Sequence, residues 1–412
     1  MKGLLQNNIL FFIVLLFLLN IIWYGYFLYQ PVIQVNSQHG YDGVHYYNMY
    51  HAFKEGVSLA YSNFFPYNNR ILIPWLTSIL PYDGVYSFKL INFIFMNLFF
   101  MISLYVYLYV IKIKKYLIFL AMLWLALNWI GIVRLYIYSP VNVDVGLYLC
   151  GILFVYIIWI EKYIFLILLA PLATMEKEGF IALLFALLVY MISINILSSY
   201  KVFTRLKPYK KIMILYVLIA IVLTISIKYY ANHYIVDTQG KGIGTSLITL
   251  YTWGLGRLYN PFDITRWATA FFMGFGGMAI LAMLNFNKYY TLSHSTNILV
   301  LFTLIHLAFG LLAGTDMTKI MFLGFPYIMT LILLLINKEN PLMVIAAFII
   351  SFPLLQVLSI IPEPSIDMVK FKNFSVDFAD TAIANGWTLM VVMIILTIVW
   401  IKKVFFDAHG RL

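Results

Sequence analysis

The sequence predicts an all-α protein, a polytopic transmembrane helix bundle of about twelve spans, and three observations predict it. Of the 412 residues, 63% are hydrophobic and 10% are charged, and the mean hydropathy is +0.92, far from the composition of a soluble globular chain. Apolar runs close to the roughly 20 residues that cross a 30 Å hydrocarbon core recur to the end of the sequence. The alternation of a membrane β-barrel is missing, which leaves helices as the spanning elements.

The first run, near 8–29, is longer than a signal-peptide core and no small-x-small cleavage site follows, so it reads as a retained helix. It leads into the first long polar interruption, 30–85. There HYYNMYHAF predicts a juxtamembrane helix with Tyr46 and Tyr50 on one face. The segment RILIPWLTSIL (70–80) is too short to cross and carries a proline, so an interfacial or re-entrant piece is expected. Further spans are expected near 86–111, 116–133, 143–160, 163–175, 180–199, 212–229, 267–284, 297–313, 319–336, 341–361 and 387–402. The run 163–175 would be only about 20 Å long as a helix, so it must be broken, tilted into protein or re-entrant. Short interrupted helices of this kind usually line a cavity. One integral membrane domain over 1–412 is expected, with long outer loops at 30–85 and 230–266 and no separate soluble domain. Cys150 is the single cysteine and lies in an apolar run, as a small buried side chain does.

Lysine and arginine placement sets the orientation. With the N-terminus inside, fifteen of the 27 cations but only three of the 16 carboxylates fall on inner segments. Both termini are then cytoplasmic. The basic balance reads as anchoring to anionic membrane lipids rather than binding to nucleic acid. The segment KVFTRLKPYKK (201–211) is the one extended inner loop and reads as a charge clamp. No GxxxxGK[ST] or GxGxxG motif is present, so a cytosolic nucleotide site has no carrier.

The outer segments hold the candidate chemistry. Asp42, in Gly-Tyr-Asp-Gly, could accept a proton from a sugar hydroxyl at the mouth of the bundle; as the residue before a helix it could equally be an N-cap. Glu176, Glu178 and Asp316 also precede apolar runs, so capping and convergence with Asp42 both stand. Arg70, Arg134, Arg257, Arg266 and Lys319 are outer cations able to bind a phosphate or to anchor the chain at the interface. Tyr41, Tyr46, Tyr47, Trp253 and Tyr259 could stack on sugars or form the interfacial aromatic belt. There is no HExxH, no cysteine partner and no strict DxD on the outer side, so spacing points to no metal site.

The order GYDGVHYY, then PYNNRILIPWLTSILP, resembles the bacterial polytopic glycosyltransferases of the GT-C type that act in cell-surface glycopolymer formation. The matches are Tyr41, Asp42, Gly43, Tyr46 and Tyr47, then Tyr67, Arg70, Leu72 and Pro74. Three later stretches are similar to that group as well: RLYIYSPVNVDVG with Asp144, MEKEG with Lys177 and Glu178, and GTDMTKIMFLGFPYIM with Asp316 and Lys319. Lys319 stands where arginine is usual, keeping the charge but losing the bidentate fork.

The resemblance implies an inner-membrane enzyme with an extracytoplasmic active site. It would transfer a sugar, with inversion, from a polyprenyl-phosphate donor to a cell-envelope glycan or lipid acceptor. Asp42 is then the expected general base. Arg70 with Arg257 or Arg266 would hold the phosphate, and Asp144, Glu178 and Asp316 would shape the acceptor pocket. The lipid-linked sugar is a co-substrate; no cofactor is implied, and the need for a divalent metal stays open. Acceptor recognition would lie in the membrane or in a partner protein of envelope biosynthesis. Two other readings remain beside it: a polysaccharide polymerase or O-antigen ligase relying on outer arginines, and a flippase or transporter for lipid-linked sugars.

Overall fold

The computed structural model describes residues 2–57, 67, 70–198, 207–230, 254–313 and 316–407. Trp253, most of the loop 230–266 and the start of the 201–211 clamp lie outside the described residues. Within them the secondary structure is helical throughout. The first loop carries two short helices between long ones: α1 (Lys2–Tyr29), α2 (Gly43–Glu55), α3 (Leu72–Ser78) and α4 (Gly84–Tyr105), which a π-helical turn extends to Ile111. Next come α5 (Lys115–Leu127), α6 (Arg134–Tyr138), α7 (Asp144–Ile160), α8 (Leu166–Glu176), α9 (Phe180–Leu197) and α10 (Lys211–Tyr230). After α11 (Leu255–Leu258) follow α12 (Pro261–Tyr289), α13 (His294–Leu312), α14 (Met317–Phe322), α15 (Phe325–Ile336), α16 (Pro341–Ile350), α17 (Met368–Phe374) and α18 (Thr381–Ile401).

Each of the twelve apolar runs carries helix, and seven helices are long and apolar enough to cross a membrane. Of the five shorter ones, Lys115–Leu127, Phe325–Ile336 and Pro341–Ile350 belong to runs that read as longer in the sequence, whereas Tyr163–Glu176 matches the short run expected at 163–175 and carries Pro171 inside it. Their physical limits are visible. The run expected at 116–133 stops at Asn128, whose side-chain oxygen accepts from Ile130 N and turns the chain. The run expected at 319–336 is divided at Gly324, followed by Pro326 in the first turn of α15. The run expected at 341–361 ends as helix at Ile350, and Gln356 adopts a left-handed conformation after a short 3₁₀ turn. As expected, Tyr46 and Tyr50 share the buried face of α2.

Helix α12 sits at the centre, packed by α14, α15, α16 and α18. Its path bends at Gly276 (φ 57°, ψ −153°), a non-helical conformation inside the helix. Neighbours bond the backbone there: Trp124 Nε1 donates to Gly274 O at 2.5 Å, Asn128 Nδ2 to Met273 O at 3.1 Å, and Gly277 N to Ser351 Oγ at 3.0 Å. A kink of this kind is tolerated within an apolar core only when such partners exist.

Loops assigned to a common side in the sequence meet at a common end of the bundle. At one end Lys402 Nζ reaches Glu339 Oε2 at 2.8 Å, and Asn285 Nδ2 donates to the same oxygen at 2.5 Å, joining α12, the α15–α16 turn and the end of α18. At the other end the first loop meets the segments around 139, 316 and 363: Ile33 N donates to Tyr138 O at 2.8 Å and Gln34 N to Glu363 Oε2 at 2.9 Å.

The kink makes a sharp prediction. A Cβ at Gly276 would lie 2.2 Å from Trp124 Cη2, in a backbone conformation nearly reserved for glycine. Gly276→Ala should therefore destabilise the protein by about 2–5 kcal/mol from combined strain and overpacking. A thermal midpoint in detergent unchanged from wild type would show that α12 does not need the bend.

Candidate functional site

The first loop reaches the bundle through a close approach at Gly43, where a Cβ would lie 2.5 Å from Val141 O. This contact seats the start of α2 against the segment before α7 and fixes the place of Asp42. Asp42 occupies the N-cap position of α2, yet its side chain makes no cap hydrogen bond. The carboxylate instead accepts from the Tyr67 hydroxyl, Oδ1 to Oη 2.9 Å. Burial and the neighbouring Asp42 charge push the Tyr67 hydroxyl up to about 12, so it stays a donor.

Asp42 lines a cleft of about 390 Å³. Asp316, Asp377, Lys319 and Lys372 line the same cleft, with Trp129 and Phe371 among its aromatic walls. Asp377 is held by α14: it accepts from Thr318 N at 3.1 Å and from Thr318 Oγ1 at 2.9 Å. Burial, then the charge of Asp316, pushes the Asp377 carboxyl up to about 7. Burial also raises Asp316, against the pull of Lys319. The cleft thus combines proton acceptors of different strength with two lysine ammonium groups.

A second layer of charge stands behind it. Asp144, buried at the start of α7, binds Lys177 Nζ through Oδ1 and Lys319 Nζ through Oδ2, each at 2.9 Å. Arg70 forms a fork with Glu178, Nε to Oε2 3.1 Å and Nη2 to Oε1 2.9 Å, while its Nη1 donates to the Tyr46 hydroxyl at 2.9 Å. Burial alone would raise Glu178, but the Arg70 guanidinium outweighs it and holds the carboxyl down to about 2.

These contacts sort the sequence candidates. Asp42, Asp316 and Lys319 come together in the cleft. Asp144 reaches the cleft only through Lys319. Glu178 and Tyr46 lie behind it, where each Arg70 nitrogen donates one hydrogen bond to them, and Arg70 is not among the residues that line the cleft. Arg257 Nη1 donates to Leu311 O and Arg266 Nη2 to Ala379 O; neither residue lines the cleft. Arg134 is buried in a cage of carbonyls from Leu127, Leu355, Gln356 and Ser359. Tyr47 stacks on His39 at 3.6 Å between ring centroids. Tyr41 lines the cleft, whereas Tyr259 does not. Asp42 and Asp316 stand at N-cap positions, and neither side chain makes a helix-cap bond.

Asp377, Lys372 and the Tyr67 partnership are features of this cleft that sequence reasoning did not single out. Asp377 sits in an ordinary stretch, FSVDFAD, and its partner Thr318 lies 59 residues away. Among the described residues no group of three or more His, Cys, Asp or Glu could hold a metal ion. Compared with protein-family models, curated proteins and solved structures, the chain finds no match.

The Arg70–Glu178 fork sets a pH window for stability. Because the folded carboxyl is held below its ordinary 4.5, the contribution is present in full above that pH and is lost as pH falls towards about 2. Glu178→Gln should cost about 3 kcal/mol at neutral pH by leaving Arg70 without its counter-charge, and it should flatten the acid arm of the stability curve. A variant whose unfolding midpoint still drops like wild type between pH 5 and 2 would place that dependence elsewhere.

Proposed function

We propose that the chain is a membrane glycosyltransferase of the GT-C type that uses a polyprenyl-phosphate-linked sugar and works on the extracytoplasmic face of the inner membrane. The observation that carries this reading is the carboxylate of Asp42, which caps no helix, is oriented by Tyr67, and opens on a cleft containing two lysines. Such a group suits proton abstraction from a hydroxyl, since the Tyr67 hydroxyl holds one oxygen and orients the carboxylate where it lines the cleft.

In this mechanism the acceptor hydroxyl lies against Asp42. Its oxygen bonds to the anomeric carbon as the bond from that carbon to the phosphate oxygen breaks, inverting the centre. The hydroxyl proton passes to Asp42, and the electron pair leaves with the polyprenyl phosphate. Lys319 and Lys372 oppose the charge that builds on the departing phosphate. This assignment moves the phosphate from the arginines to the cleft lysines, because Lys319 and Lys372 line the cleft and Arg70, Arg257 and Arg266 do not. Asp144 acts through Lys319, fixing where that ammonium stands. The acceptor is a glycan or lipid of the cell envelope, met from the surrounding bilayer or presented by a partner protein.

Two outcomes are expected. Asp42→Asn should lower transfer of labelled sugar from a polyprenyl-phosphate donor by about a hundredfold or more, with the protein still inserted at wild-type level. Transfer that persists within a few-fold of wild type would remove Asp42 as the base. The second outcome concerns Asp377, whose proton is lost as pH rises through about 7 and adds a negative charge to the cleft. Binding of the anionic donor should weaken above that pH, and Asp377→Asn should remove the dependence. An unchanged pH profile of the donor KM in Asp377→Asn would assign the step to another group.

A further inference from the structure

A groove of about 150 Å³ opens on the flank of the bundle between α1, α4 and α6, and it shares no lining residue with the cleft. Its walls are single helix faces. Trp23 and Phe27 come from α1 at i, i+4, with Gln30 just past its end; Lys89, Asn92, Phe93 and Met96 come from α4 at i, i+3, i+4, i+7. Trp23 packs on Phe27 at 5.2 Å and on Phe93 at 4.5 Å between ring centroids, forming an aromatic floor. Beside it both helices expose large apolar side chains, Tyr24 and Leu28 on α1 and Ile94 and Leu98 on α4, so the groove faces hydrocarbon.

The charge in this groove has no obvious structural use. Lys89 lies inside the apolar span Gly84–Ile111, about 8 Å along the axis from its start. Among the described residues it forms no ion pair, and its ammonium stands 5.4 Å from the Tyr86 ring centroid. A lysine at such a depth extends its stem along apolar surface and delivers its charge to the headgroup level. One turn deeper, Asn92 donates to Pro140 O and Asn142 O, while its buried Oδ1 has no hydrogen-bond partner among the described residues. Cation, acceptor and apolar floor follow one another down a single helix face.

We propose that this groove holds an anionic glycerophospholipid of the surrounding bilayer, with its phosphate on Lys89 and one acyl chain along Trp23, Phe93 and Met96. Phosphatidylglycerol supplies both the anionic phosphate and the chain. From Lys89 to Met96 the groove runs roughly 10 Å along α4, enough for the upper part of a straight chain. The donor lipid proposed above needs its phosphate beside Asp42, in the cleft, which leaves Lys89 to a second lipid. That exclusion of the donor rests on the proposed function; the groove itself does not. Tyr136 connects the two regions: it lines the groove, and its hydroxyl lies within electrostatic reach of Asp144 and Glu176.

The test is lipid retention by the purified full chain, read by native mass spectrometry after reconstitution in phosphatidylcholine discs with and without phosphatidylglycerol. Wild type should retain phosphatidylglycerol selectively. Lys89→Gln should retain it about fivefold more weakly, the equivalent of about 1 kcal/mol for one lysine near a lipid phosphate. Lys89→Arg should restore retention, and Lys338→Gln, at the other end of the bundle, should leave it unchanged. Equal retention by Lys89→Gln at a wild-type melting midpoint would overturn the proposal, as would equal retention of phosphatidylcholine. Displacement of phosphatidylglycerol by polyprenyl phosphate in a Lys89-dependent manner would also overturn it, giving the groove to the donor. Retention is read without turnover, so the result stands apart from whether the chain transfers sugar.

Discussion

The end of the bundle that carries the first loop is organised by the buried carboxylate of Asp144. A carboxylate taken out of water needs a counter-charge close by, or its burial costs several kcal/mol. Asp144 has two, Lys177 and Lys319, one on each oxygen at 2.9 Å. Those lysines come from distant parts of the chain, the α8–α9 turn and α14, so satisfying one charge fixes three elements. The next residue, Glu178, continues the network to Arg70 and through it to the Tyr46 hydroxyl on α2. A continuous polar path therefore leads from Lys319 to the helix that begins just after Asp42. Two residues that face the same cleft are positioned by the same set of ion pairs.

This arrangement explains the division of labour among the charged groups. Arg70 and Glu178 neutralise one another in a fork and serve as scaffold, as a bidentate guanidinium pair does well. Lys319 is different, because it is bound to Asp144 on one side and still lines the cleft. Its charge is thereby held in place rather than cancelled by a partner of its own, since Asp144 is shared with Lys177. Asp42 keeps one oxygen tied to Tyr67 and is spared the capping role its position in sequence would suit. The start of α2 is instead held by packing of Gly43 on Val141. Tight backbone contact does there what a side-chain cap does elsewhere.

Much of the fold was legible because a bilayer imposes length and polarity on every crossing. All twelve apolar runs carry helix. What periodicity did not reveal was where a run is divided: Asn128 ends α5 by hydrogen-bonding its own turn, and Gly324 separates α14 from α15 within an unbroken apolar stretch. The Gly276 bend is equally silent, since GFGG is compatible with a straight helix and only Trp124, Asn128 and Ser351 make the bend tolerable. In the site, Asp42, Asp316 and Lys319 were readable from type and placement. The pairing of Arg70 with Glu178, 108 residues apart, and of Asp377 with Thr318 was not, because spacing reports helix faces and says nothing of contacts between them.

The clasp between Gln34 and Glu363, 329 residues apart, has a consequence for biogenesis. The first loop contributes Asp42, whereas Asp316, Lys319, Lys372 and Asp377 belong to the last quarter of the chain. At ribosomal rates of about 5–20 residues per second, those two parts emerge tens of seconds apart. Throughout that interval the early helices sit in the bilayer with Asp42 lacking its cleft. The cleft is therefore completed by the last-made quarter of the polypeptide, and a nascent chain stalled before it holds Asp42 without the four charged residues that line the cleft beside it.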